Sequence, residues 1–487
     1  MNDSIFISEE SARCMLCHNA PCTKACACGQ PDRFIRSLRF DNISQSLKWI
    51  EECSSDDLAA AESACIHYDR PIRINALAEA VRNSITVSPK EPLPSLEIKF
   101  CGLTCENPFF LASSAVCTNY EMVAKAFDAG WAGVFYKTIC LQEINEVSPR
   151  FDAVHNSKRG DFYGFRNMEQ LSENPVDMDF DILSRLKKNY PSKIVVASIM
   201  GQTEEEWIEL AKMAEKAGVD AIELNFSCPQ MRLAGMGSDV GQNSELVTFY
   251  TAYVKRSVSI PVIPKMTPNI TNMNVPATGA FFAGADAISA INTIKSITMS
   301  PGSEVSSRKT VSGYSGRAVK PIALRHILEM TQNPLIKNID FSGIGGIETW
   351  RDALEFIQLG CCNVQVCTSV MQFGYRIIDD MISGLQTYMA SRDIRHLSDL
   401  VGEKIKDFSL ASELDRETMV FPKIDRELCV GCGRCSVSCY DGGHQAIIFD
   451  ETRKPKIIGQ KCVGCHLCVH VCPTGAISSA NRIKKIK

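Results

Sequence analysis

The stretch IVVASIMGQTEEEWIELAKMAEKAGVDAIELN, residues 194–225, decides the fold. It begins with an apolar run at 194–199, continues with an amphipathic segment at 204–218 and ends with a second apolar run at 221–225. The middle segment closes on Gly218, a residue that suits a helix C-terminus. The stretch therefore reads as strand, helix and strand, the unit from which parallel sheets are built.

The same unit recurs through the middle of the chain. Eight strands are predicted, at FFLAS 109–113, GVFYK 133–137, IVVASI 194–199, AIELN 221–225, VIPKM 262–266, DAISAI 286–291, IDFSG 339–343 and NVQVC 363–367. Helical patterns separate them, most clearly YEMVAKAFDAG at 120–130 and the segment at 204–218. Eight strands alternating with helices over about 290 residues favour an α/β fold of the (β/α)8, or TIM, barrel type. An open doubly wound sheet is the alternative.

Length and composition limit the class of protein. The 487 residues suggest roughly three domains. Lys+Arg of 52 against Asp+Glu of 56 gives a net charge of -4, which argues against a nucleic-acid binder. No apolar run approaches the ~18 residues of a membrane span, and the acidic start MNDSIFISEE is not a secretory signal. We therefore expect a cytoplasmic protein without a membrane partner, in which metal clusters are the leading use of 23 cysteines.

The cysteines divide the chain into three regions. Seven lie between Cys14 and Cys65, eight lie between Cys429 and Cys472, and eight are scattered between these groups. The Ser/Pro-rich stretch SITVSPKEPLPS at 84–95 marks the first boundary. The second boundary falls shortly before FPKIDRELC. We predict three domains: a helical cysteine-rich module at 1–83, a barrel at 97–400 and a cysteine-rich domain at 420–487.

The last region carries one cysteine spacing twice. C-x2-C-x2-C-x3-C occurs two times in about 45 residues, the signature of bacterial two-cluster ferredoxins, in which the fourth cysteine of each run binds the other cluster. We therefore predict a ferredoxin-like domain with two 4Fe–4S clusters. Their ligands would be Cys429, Cys432, Cys435 and Cys472 for the first, and Cys462, Cys465, Cys468 and Cys439 for the second. Structural zinc or reduced core thiols are the alternatives, but four cysteines per run favour iron–sulfur.

The first region carries C-x2-C-x4-C-x3-C in RCMLCHNAPCTKAC. This motif resembles the N-terminal iron–sulfur domain of dihydropyrimidine dehydrogenases and glutamate synthase small subunits. The resemblance implies one 4Fe–4S cluster, with the ligands Cys14, Cys17, Cys22 and Cys65. A second cluster would need Cys26 and Cys53, with Cys28 as a further candidate, and a fourth ligand that the sequence does not identify. A vestigial or zinc-binding helical head is the alternative.

Motifs in the middle region resemble the flavin/iron–sulfur subunit of the bacterial NAD-dependent dihydropyrimidine dehydrogenases. They are FYKT, NFSCPQM, GMGSDVGQ, PKMTPN, INTIKSIT, GYSGRAVKPIALR, SGIGGIETW and MQFGYRI, and they cover most of 97–385. The superfamily also holds the dihydroorotate dehydrogenases. The resemblance implies FMN at the C-terminal end of the barrel. It also implies reduction of the C5=C6 bond of uracil or thymine in pyrimidine catabolism, with hydride passing from FMN N5 to C6 and a proton to C5.

The resemblance also implies the substrate residues. Cys228, in NFSCP, occupies the family's acid position, and a thiol with a pKa near ~8.5 is still protonated at neutral pH and can donate. Asparagine amides meet the alternating donors and acceptors of a pyrimidine ring. The substrate-binding set is Asn167, Glu169, Asn225, Ser227, Asn292 and Thr293. Orotate would need a cation for its carboxylate. The motifs NFSCP and INTIKS contain no Arg or Lys other than Lys295, and Arg232 in the loop is the other candidate. The motifs therefore favour uracil over orotate.

The residues around FMN follow from the same motifs. Lys137 and Lys265 would lie against the isoalloxazine, where a cation stabilises the reduced anionic flavin. Gly345 and Gly346 follow the seventh strand, in the region where barrel phosphate sites form. The full set is Ser113, Ser114, Lys137, Lys265, Ser315, Gly316, Gly345, Gly346, Cys367 and Thr368.

An outside electron donor is also implied. No G-x-G-x-x-G follows a strand, so the sequence has no fingerprint for FAD or NAD(P). The resemblance implies a separate FAD- and NAD(P)-binding subunit or a ferredoxin-like donor, with electrons reaching FMN through the clusters, and an oligomer. Two other functions stay open: a dihydroorotate dehydrogenase with appended iron–sulfur domains, and an electron-transfer protein with a degenerate barrel.

Overall fold

The structure is a computed structural model that describes residues 3–84, 92–155, 162–229, 231, 235–298, 310–336 and 338–485. The chain forms two compact units. The first comprises Met1–Met15, Cys65–Ser84 and Asp407–Lys487, and the second comprises Leu16–Ala64 and Ile85–Lys406. The second unit thus contains part of the cysteine-rich head together with the barrel region. The three-domain division drawn from the sequence remains a prediction.

The second unit contains a closed barrel of eight parallel strands. The strands are β1 Phe109–Leu111, β2 Gly133–Phe135, β3 Ile194–Ile199, β4 Ala221–Asn225, β5 Val262–Lys265, β6 Ala287–Ala290, β7 Asp340–Ile344 and β8 Cys361–Val366. Each strand pairs with its neighbours in chain order, and β8 closes on β1. Every strand coincides with a run predicted from the sequence. The (β/α)8 barrel is therefore confirmed, and the open sheet is excluded because a closed barrel has no edge strand.

A helix follows each barrel strand. These helices are Tyr120–Ala129, Val176–Asn189, Glu204–Ala217, Ser244–Ser257, Asn274–Phe282, Lys320–Thr331, Trp350–Gln358 and Ile378–Ser391, with short helices at Ser238–Gly241 and Thr368–Phe373. The side chains of Asn119 and Thr203 cap the first and third helices by accepting a backbone hydrogen bond. Gly130 and Gly218 end the same two helices at φ of +113° and +82°, a left-handed conformation that glycine adopts without strain. Both helices predicted most clearly are confirmed.

The loops after β2 and β6 build a second sheet. It is antiparallel, and its four strands in spatial order are Ile294–Ser296, Ser312–Ser315, Phe162–Asn167 and Phe151–His155. Gly164 lies so close to the Tyr314 ring that a Cβ would stand 1.8 Å from its atoms. The sequence pattern did not predict this sheet, because its partners come from two distant loops. It matters for function because it carries Asn167 and Ser315.

The head helices within this unit pack on the barrel. They are Pro21–Ala25, Pro31–Arg39, Ile43–Ser46 and Ser55–Ser63, with a 3-10 turn at Leu47–Trp49. Arg36 donates to Asp380 at 2.7 Å and to Asp379 at 3.1 Å, and Ser37 donates to Asp380 at 2.6 Å. The Arg36 and Asp380 side chains are only 4% and 2% exposed. Each charge therefore depends on the other, because an unpaired buried charge is costly.

The first unit combines two helices with the tail. Helices Asp3–Ala12 and Ile74–Ser84 pack together, and Glu10 links them by accepting from Arg13 and from the backbone of Arg73. The tail contains the antiparallel strand pairs Thr418–Ile424 with Ile477–Lys484 and Ile447–Ile448 with Lys456–Ile457, and the helices Arg434–Gly442 and Leu467–His470. Ile447, Ile477, Cys435 and Cys468 form its small core. Among the described residues, no helix is both long enough and apolar enough to cross a membrane.

Candidate functional site

A deep cleft opens at the C-terminal ends of the barrel strands. It holds about 1010 Å³ of atom-free space, including the part open to solvent. Its walls come from the residues that follow β1, β2, β4, β6, β7 and β8, and from the four-stranded sheet. Parallel strands of a barrel end at one face, so residues far apart in sequence meet here.

The cleft brings together the barrel residues predicted for FMN and substrate. Those that line it are Ser113, Ser114, Lys137, Asn167, Glu169, Asn225, Cys228, Lys265, Asn292, Thr293, Ser315, Gly316, Gly345, Gly346, Cys367 and Thr368. Ser227 instead lies fully buried beside Asn225, and its hydroxyl donates to Asn225 Oδ1 at 2.7 Å. Ser227 therefore orients the Asn225 side chain. The role of each residue stays a prediction at this point.

Two buried lysines reach the cleft from the strand ends. Lys137 Nζ lies 2.8 Å from Glu169 Oε2, and Lys265 Nζ lies 3.3 Å from Glu223 Oε1. Ser198 also donates to Glu223 Oε1, at 3.0 Å. Buried charges are tolerated when they are paired and hydrogen-bonded, and both lysines meet that condition. The cleft therefore holds two fixed positive charges, which suit a group that becomes anionic.

Thr138 is the hub of a hydroxyl and amide network in the cleft. Asn225 Nδ2 donates to Thr138 Oγ1 at 2.9 Å. The hydroxyls of Ser113 and Ser198 lie 3.1 Å and 3.0 Å from the same oxygen. The sequence did not single out Thr138, although its position beside Lys137 in the motif FYKT was a usable signal. The network fixes Asn225 from the side opposite Ser227.

Gln365 is a second cleft residue that the sequence did not single out. Its Nε2 donates to Ser289 at 3.1 Å and to Ser342 at 2.9 Å, both on the barrel interior. Its Oε1 is buried and has no hydrogen-bond partner within the described part of the chain. A buried polar atom without a partner costs free energy. An N–H group on the ring of a bound ligand would supply the donor that Gln365 Oε1 lacks.

A glycine cradle forms one end of the cleft. Gly316, Gly345 and Gly346 have φ of +99°, +126° and +74°. A Cβ on Gly346 would lie 2.8 Å from the backbone nitrogen of Lys320 and 3.0 Å from the carbonyl oxygen of Gly316. The cradle therefore needs glycine both for conformation and for space. Bare backbone of this kind can approach a phosphate closely.

Hydroxyl and thiol groups complete this end of the cleft. Ser315 Oγ and Thr368 Oγ1 lie 2.9 Å apart. Burial raises the pKa of the Cys367 thiol, so that side chain adds no negative charge beside a phosphate. FMN has a phosphate group, which the glycine cradle suits. It also has a polar ring system, which the two buried lysines and the unpaired amide oxygen of Gln365 suit. The residues present therefore fit that cofactor.

Cys228 lies in the loop that follows β4. The side chain is buried, at 6% exposure, and the Ser238 backbone N–H donates to the Cys228 carbonyl at 2.9 Å. A Cβ on Gly237 would lie 2.5 Å from that carbonyl oxygen. Gly237 therefore lets the loop close tightly around the thiol. Arg232, a predicted candidate cation, lies outside the described residues, and Lys295 is exposed on its sheet strand.

A smaller cavity in the tail has four cysteines in its walls. It holds about 360 Å³ of atom-free space, including the part open to solvent, and its cysteines are Cys439, Cys462, Cys465 and Cys468. Three come from the second cysteine run and one from the first, which is the crossed set predicted from the spacing. The Ala446 N–H also donates to Cys439 Sγ at 3.3 Å. Four thiols around one cavity fit a 4Fe–4S cluster.

The head brings three cysteines together within the second unit. The Sγ atoms of Cys26, Cys28 and Cys53 all lie within 4.8 Å of one another. The other predicted head ligands, Cys14, Cys17, Cys22 and Cys65, remain a prediction from the sequence.

Comparisons with known proteins agree with the fold. The dihydroorotate dehydrogenase family matches residues 95–389, and the 4Fe-4S dicluster domain matches residues 422–479. The NAD-dependent dihydropyrimidine dehydrogenase subunit PreA of Escherichia coli (strain K12) is 52% identical over 389 residues, 78% of this chain and 94% of that protein. The chloroplastic dihydropyrimidine dehydrogenase (NADP(+)) of Arabidopsis thaliana is 36% identical over 67% of this chain and 81% of that protein.

A further relative comes from the other branch of the superfamily. The catalytic subunit of dihydroorotate dehydrogenase B (NAD(+)) of Pyrococcus horikoshii is 33% identical over 64% of this chain and 98% of that protein. The two family matches support a flavin and iron–sulfur clusters as cofactors. The chain therefore belongs to the dihydroorotate dehydrogenase family, as an oxidoreductase that resembles the dihydropyrimidine dehydrogenases and acts on CH–CH donors.

Proposed function

We propose that this chain reduces the C5=C6 bond of uracil or thymine to the 5,6-dihydropyrimidine, in a reversible reaction. The observation that carries the proposal is the placement of Cys228 in one cleft with Asn167, Asn225 and Asn292. FMN, when bound, supplies the hydride from its N5 to C6 of the ring. The 52% identity to a dihydropyrimidine dehydrogenase subunit supports the same substrate class.

The asparagines bind the ring. Asn225 is held at both ends of its amide: the backbone N–H and the hydroxyl of Ser227 both donate to Oδ1, and Nδ2 donates to Thr138. Its remaining N–H therefore points in a fixed direction. Asn167 Oδ1 accepts from the Glu169 backbone at 2.6 Å, which orients it in the same way. Asn292 and Thr293 complete the set. Amides provide a donor and an acceptor together, as the N–H and C=O groups of a pyrimidine require.

Cys228 provides the proton for C5. Its side chain is buried, at 6% exposure, in the cleft that holds the residues proposed to bind the ring. A thiol is protonated at neutral pH and can donate at the transition state. Loop closure at Gly237 fixes the thiol in place. Cys228 is therefore the general acid of the proposed reaction.

The remaining cleft residues would hold FMN. Lys137 and Lys265 would stabilise the negative charge of the reduced isoalloxazine. Backbone and hydroxyl groups of Ser315, Gly316, Gly345, Gly346, Cys367 and Thr368 would bind the phosphate end, and Ser113 and Ser114 also line the cleft.

Electrons would enter through iron–sulfur clusters. Two tail clusters would have the crossed ligand sets Cys429, Cys432, Cys435 and Cys472, and Cys462, Cys465, Cys468 and Cys439. A head cluster would use Cys14, Cys17, Cys22 and Cys65. The donor is a separate FAD- and NAD(P)-binding subunit or a ferredoxin-like carrier, in keeping with the word subunit in the name of the Escherichia coli relative. We expect the chain to work as part of an oligomer.

Flavin reoxidation tests the substrate. The chain is purified without oxygen, reduced chemically and mixed in turn with uracil, thymine and orotate while flavin absorbance is followed. We expect reoxidation by uracil or thymine and none by orotate, because the side chains proposed to bind the ring, those of Asn167, Asn225 and Asn292, are neutral amides. Reoxidation by orotate alone would assign the chain to dihydroorotate oxidation. No reoxidation by any of the three would refute a pyrimidine substrate.

A further inference from the structure

Three cysteines converge in the head, and the proposed reaction does not use them. Cys26 and Cys28 lie in the connection between helices Pro21–Ala25 and Pro31–Arg39, and Cys53 lies just before helix Ser55–Ser63. Cys26 and Cys53 are buried, and Cys28 is half-buried. Residues about 25 positions apart in the chain therefore present their thiols to one point in the protein interior.

The spacing of the thiols matches one metal ion better than a cluster. Cys26 Sγ lies 3.5 Å from Cys53 Sγ and 4.0 Å from Cys28 Sγ. Thiolates that share one tetrahedral Zn²⁺, with bonds of about 2.3 Å, are about 3.8 Å apart. The thiolates of a 4Fe–4S cubane each bind a different iron, so they must lie farther apart. The observed separations bracket the single-ion value.

The surrounding backbone brings Cys53 against the other two cysteines. A Cβ on Gly29 would lie 2.3 Å from Cys53 Sγ and 2.8 Å from the Trp49 carbonyl oxygen. The Gln30 N–H donates to the same Trp49 carbonyl at 2.7 Å. Only glycine at position 29 therefore lets the two segments approach. The arrangement is built from close backbone contacts as well as from the thiols.

Three thiols are the ligand atoms that the described part of the chain brings together here, because no further Cys, His, Asp or Glu has a ligand atom within 4.8 Å of all three. A Zn²⁺ ion held by three protein ligands takes a water molecule in the fourth position.

We propose that Cys26, Cys28 and Cys53 bind one Zn²⁺ ion, with a water molecule in the fourth position, in place of a second head cluster. The ion joins the loop at 26–28 to Cys53, just before helix Ser55–Ser63. Zn²⁺ has no redox chemistry, so this site stabilises the head and carries no electrons. The proposal does not depend on the substrate of the barrel.

Metal analysis of the full chain tests this site. The protein is produced with both iron and zinc available and purified without oxygen, and zinc and iron are counted by mass spectrometry. We expect one zinc per chain. Cys53→Ser should lose the zinc without changing the iron count. Cys105→Ser, which changes a buried thiol elsewhere, should keep both metals.

A second variant and a spectroscopic probe cover the case in which Cys53→Ser fails to fold. Cys28→Ser alters the half-buried ligand and should also lose the zinc. Cobalt in place of zinc should show thiolate-to-cobalt charge-transfer absorption in the wild type and not in Cys28→Ser.

Two results would overturn the proposal. One is a loss of about four irons per chain in Cys53→Ser, because a 4Fe–4S cluster would then occupy the site. The other is a wild-type chain that holds no zinc and gives no cobalt band. Anaerobic alkylation mapping gives a positive sign of that second result, which is a disulfide between Cys26 and Cys53.

Discussion

Single side chains in the cleft are held by their neighbours on two sides. Asn225 is bound between Ser227 and Thr138, and Lys137 and Lys265 each face a carboxylate. Such pre-organisation lets polar groups act without rearranging during a reaction. Cys228 lies in the same cleft, and its thiol is the group that gives up a proton in the proposed reaction.

Replacing Cys228 by alanine removes the proton donor and leaves the rest of the cleft in place. We expect uracil reduction to slow by roughly 10²–10⁴-fold, the usual contribution of a general acid. Flavin and iron contents should not change. Stopped-flow reoxidation of the reduced flavin measures the rate, with Cys105→Ala as a matched buried-cysteine control. Equal rates for Cys228→Ala and wild type would exclude Cys228 as the acid.

His326 should make stability depend on pH. It is 1% exposed in helix Lys320–Thr331, and burial lowers its pKa. The folded ring therefore stays neutral, whereas the unfolded chain binds a proton below about pH 6.5, so acid favours the unfolded state.

The free energy of unfolding should accordingly fall with decreasing pH below about 6.5, by up to about 1.4 kcal/mol per unit from this residue. Urea unfolding followed by tryptophan fluorescence, at several pH values between about 7.5 and 5.5, gives the slope. His326→Gln should have the shallower slope. Parallel slopes for the two proteins would show that His326 does not contribute.

At the scale of elements, six of the barrel strands, β1, β2, β4, β6, β7 and β8, are followed directly by residues that line the cleft. The strands and helices follow from local patterns, but the glycine turns after them serve two different purposes. Gly218 ends a helix in open space, since a Cβ at this position would have no neighbouring atom within 4 Å, whereas the Gly346 position is enclosed by backbone. The two positions have similar φ, +82° and +74°, so they form a matched pair.

Replacing each of these two glycines by alanine should have different effects. Gly218→Ala should change stability, and Gly346→Ala should change cofactor binding. Gly218→Ala should cost about 1 kcal/mol of unfolding free energy, because alanine is strained at positive φ. Its FMN content should remain that of the wild type. Gly346→Ala should emerge from gel filtration depleted of FMN, because its Cβ displaces the cradle backbone. Full FMN occupancy in Gly346→Ala would show that the phosphate lies elsewhere.

At the scale of the second unit, ion pairs connect the head helices to the barrel. Arg36 and Asp380 form a buried pair at 2.7 Å. Arg351 and Asp41 form a second pair whose side chains are 56% and 39% exposed. Burial decides how much each pair contributes, because water screens an exposed pair and cannot compensate a buried charge.

Removing one arginine at a time should reveal that difference. Arg36→Ala leaves Asp380 buried without its cation and should lower the unfolding free energy by about 3–5 kcal/mol. Arg351→Ala should lower it by about 1 kcal/mol or less. Urea unfolding of both variants under reducing, anaerobic conditions gives the comparison. Similar losses in the two variants would mean that the buried pair does not anchor the head.

The sequence by itself determined the barrel class, the eight strands and the crossed cysteine set that lines the tail cavity. It could do so because strand and helix periodicity and ligand spacing are local properties of the chain. Family motifs also located the residues that line the cleft. Only the tertiary structure decided the four-stranded sheet, the Thr138 and Gln365 networks, the Arg36–Asp380 pair and the convergence of Cys26, Cys28 and Cys53. Those contacts join residues far apart in the chain, and no local pattern records which distant partner will complete a hydrogen bond, a charge pair or a thiol group.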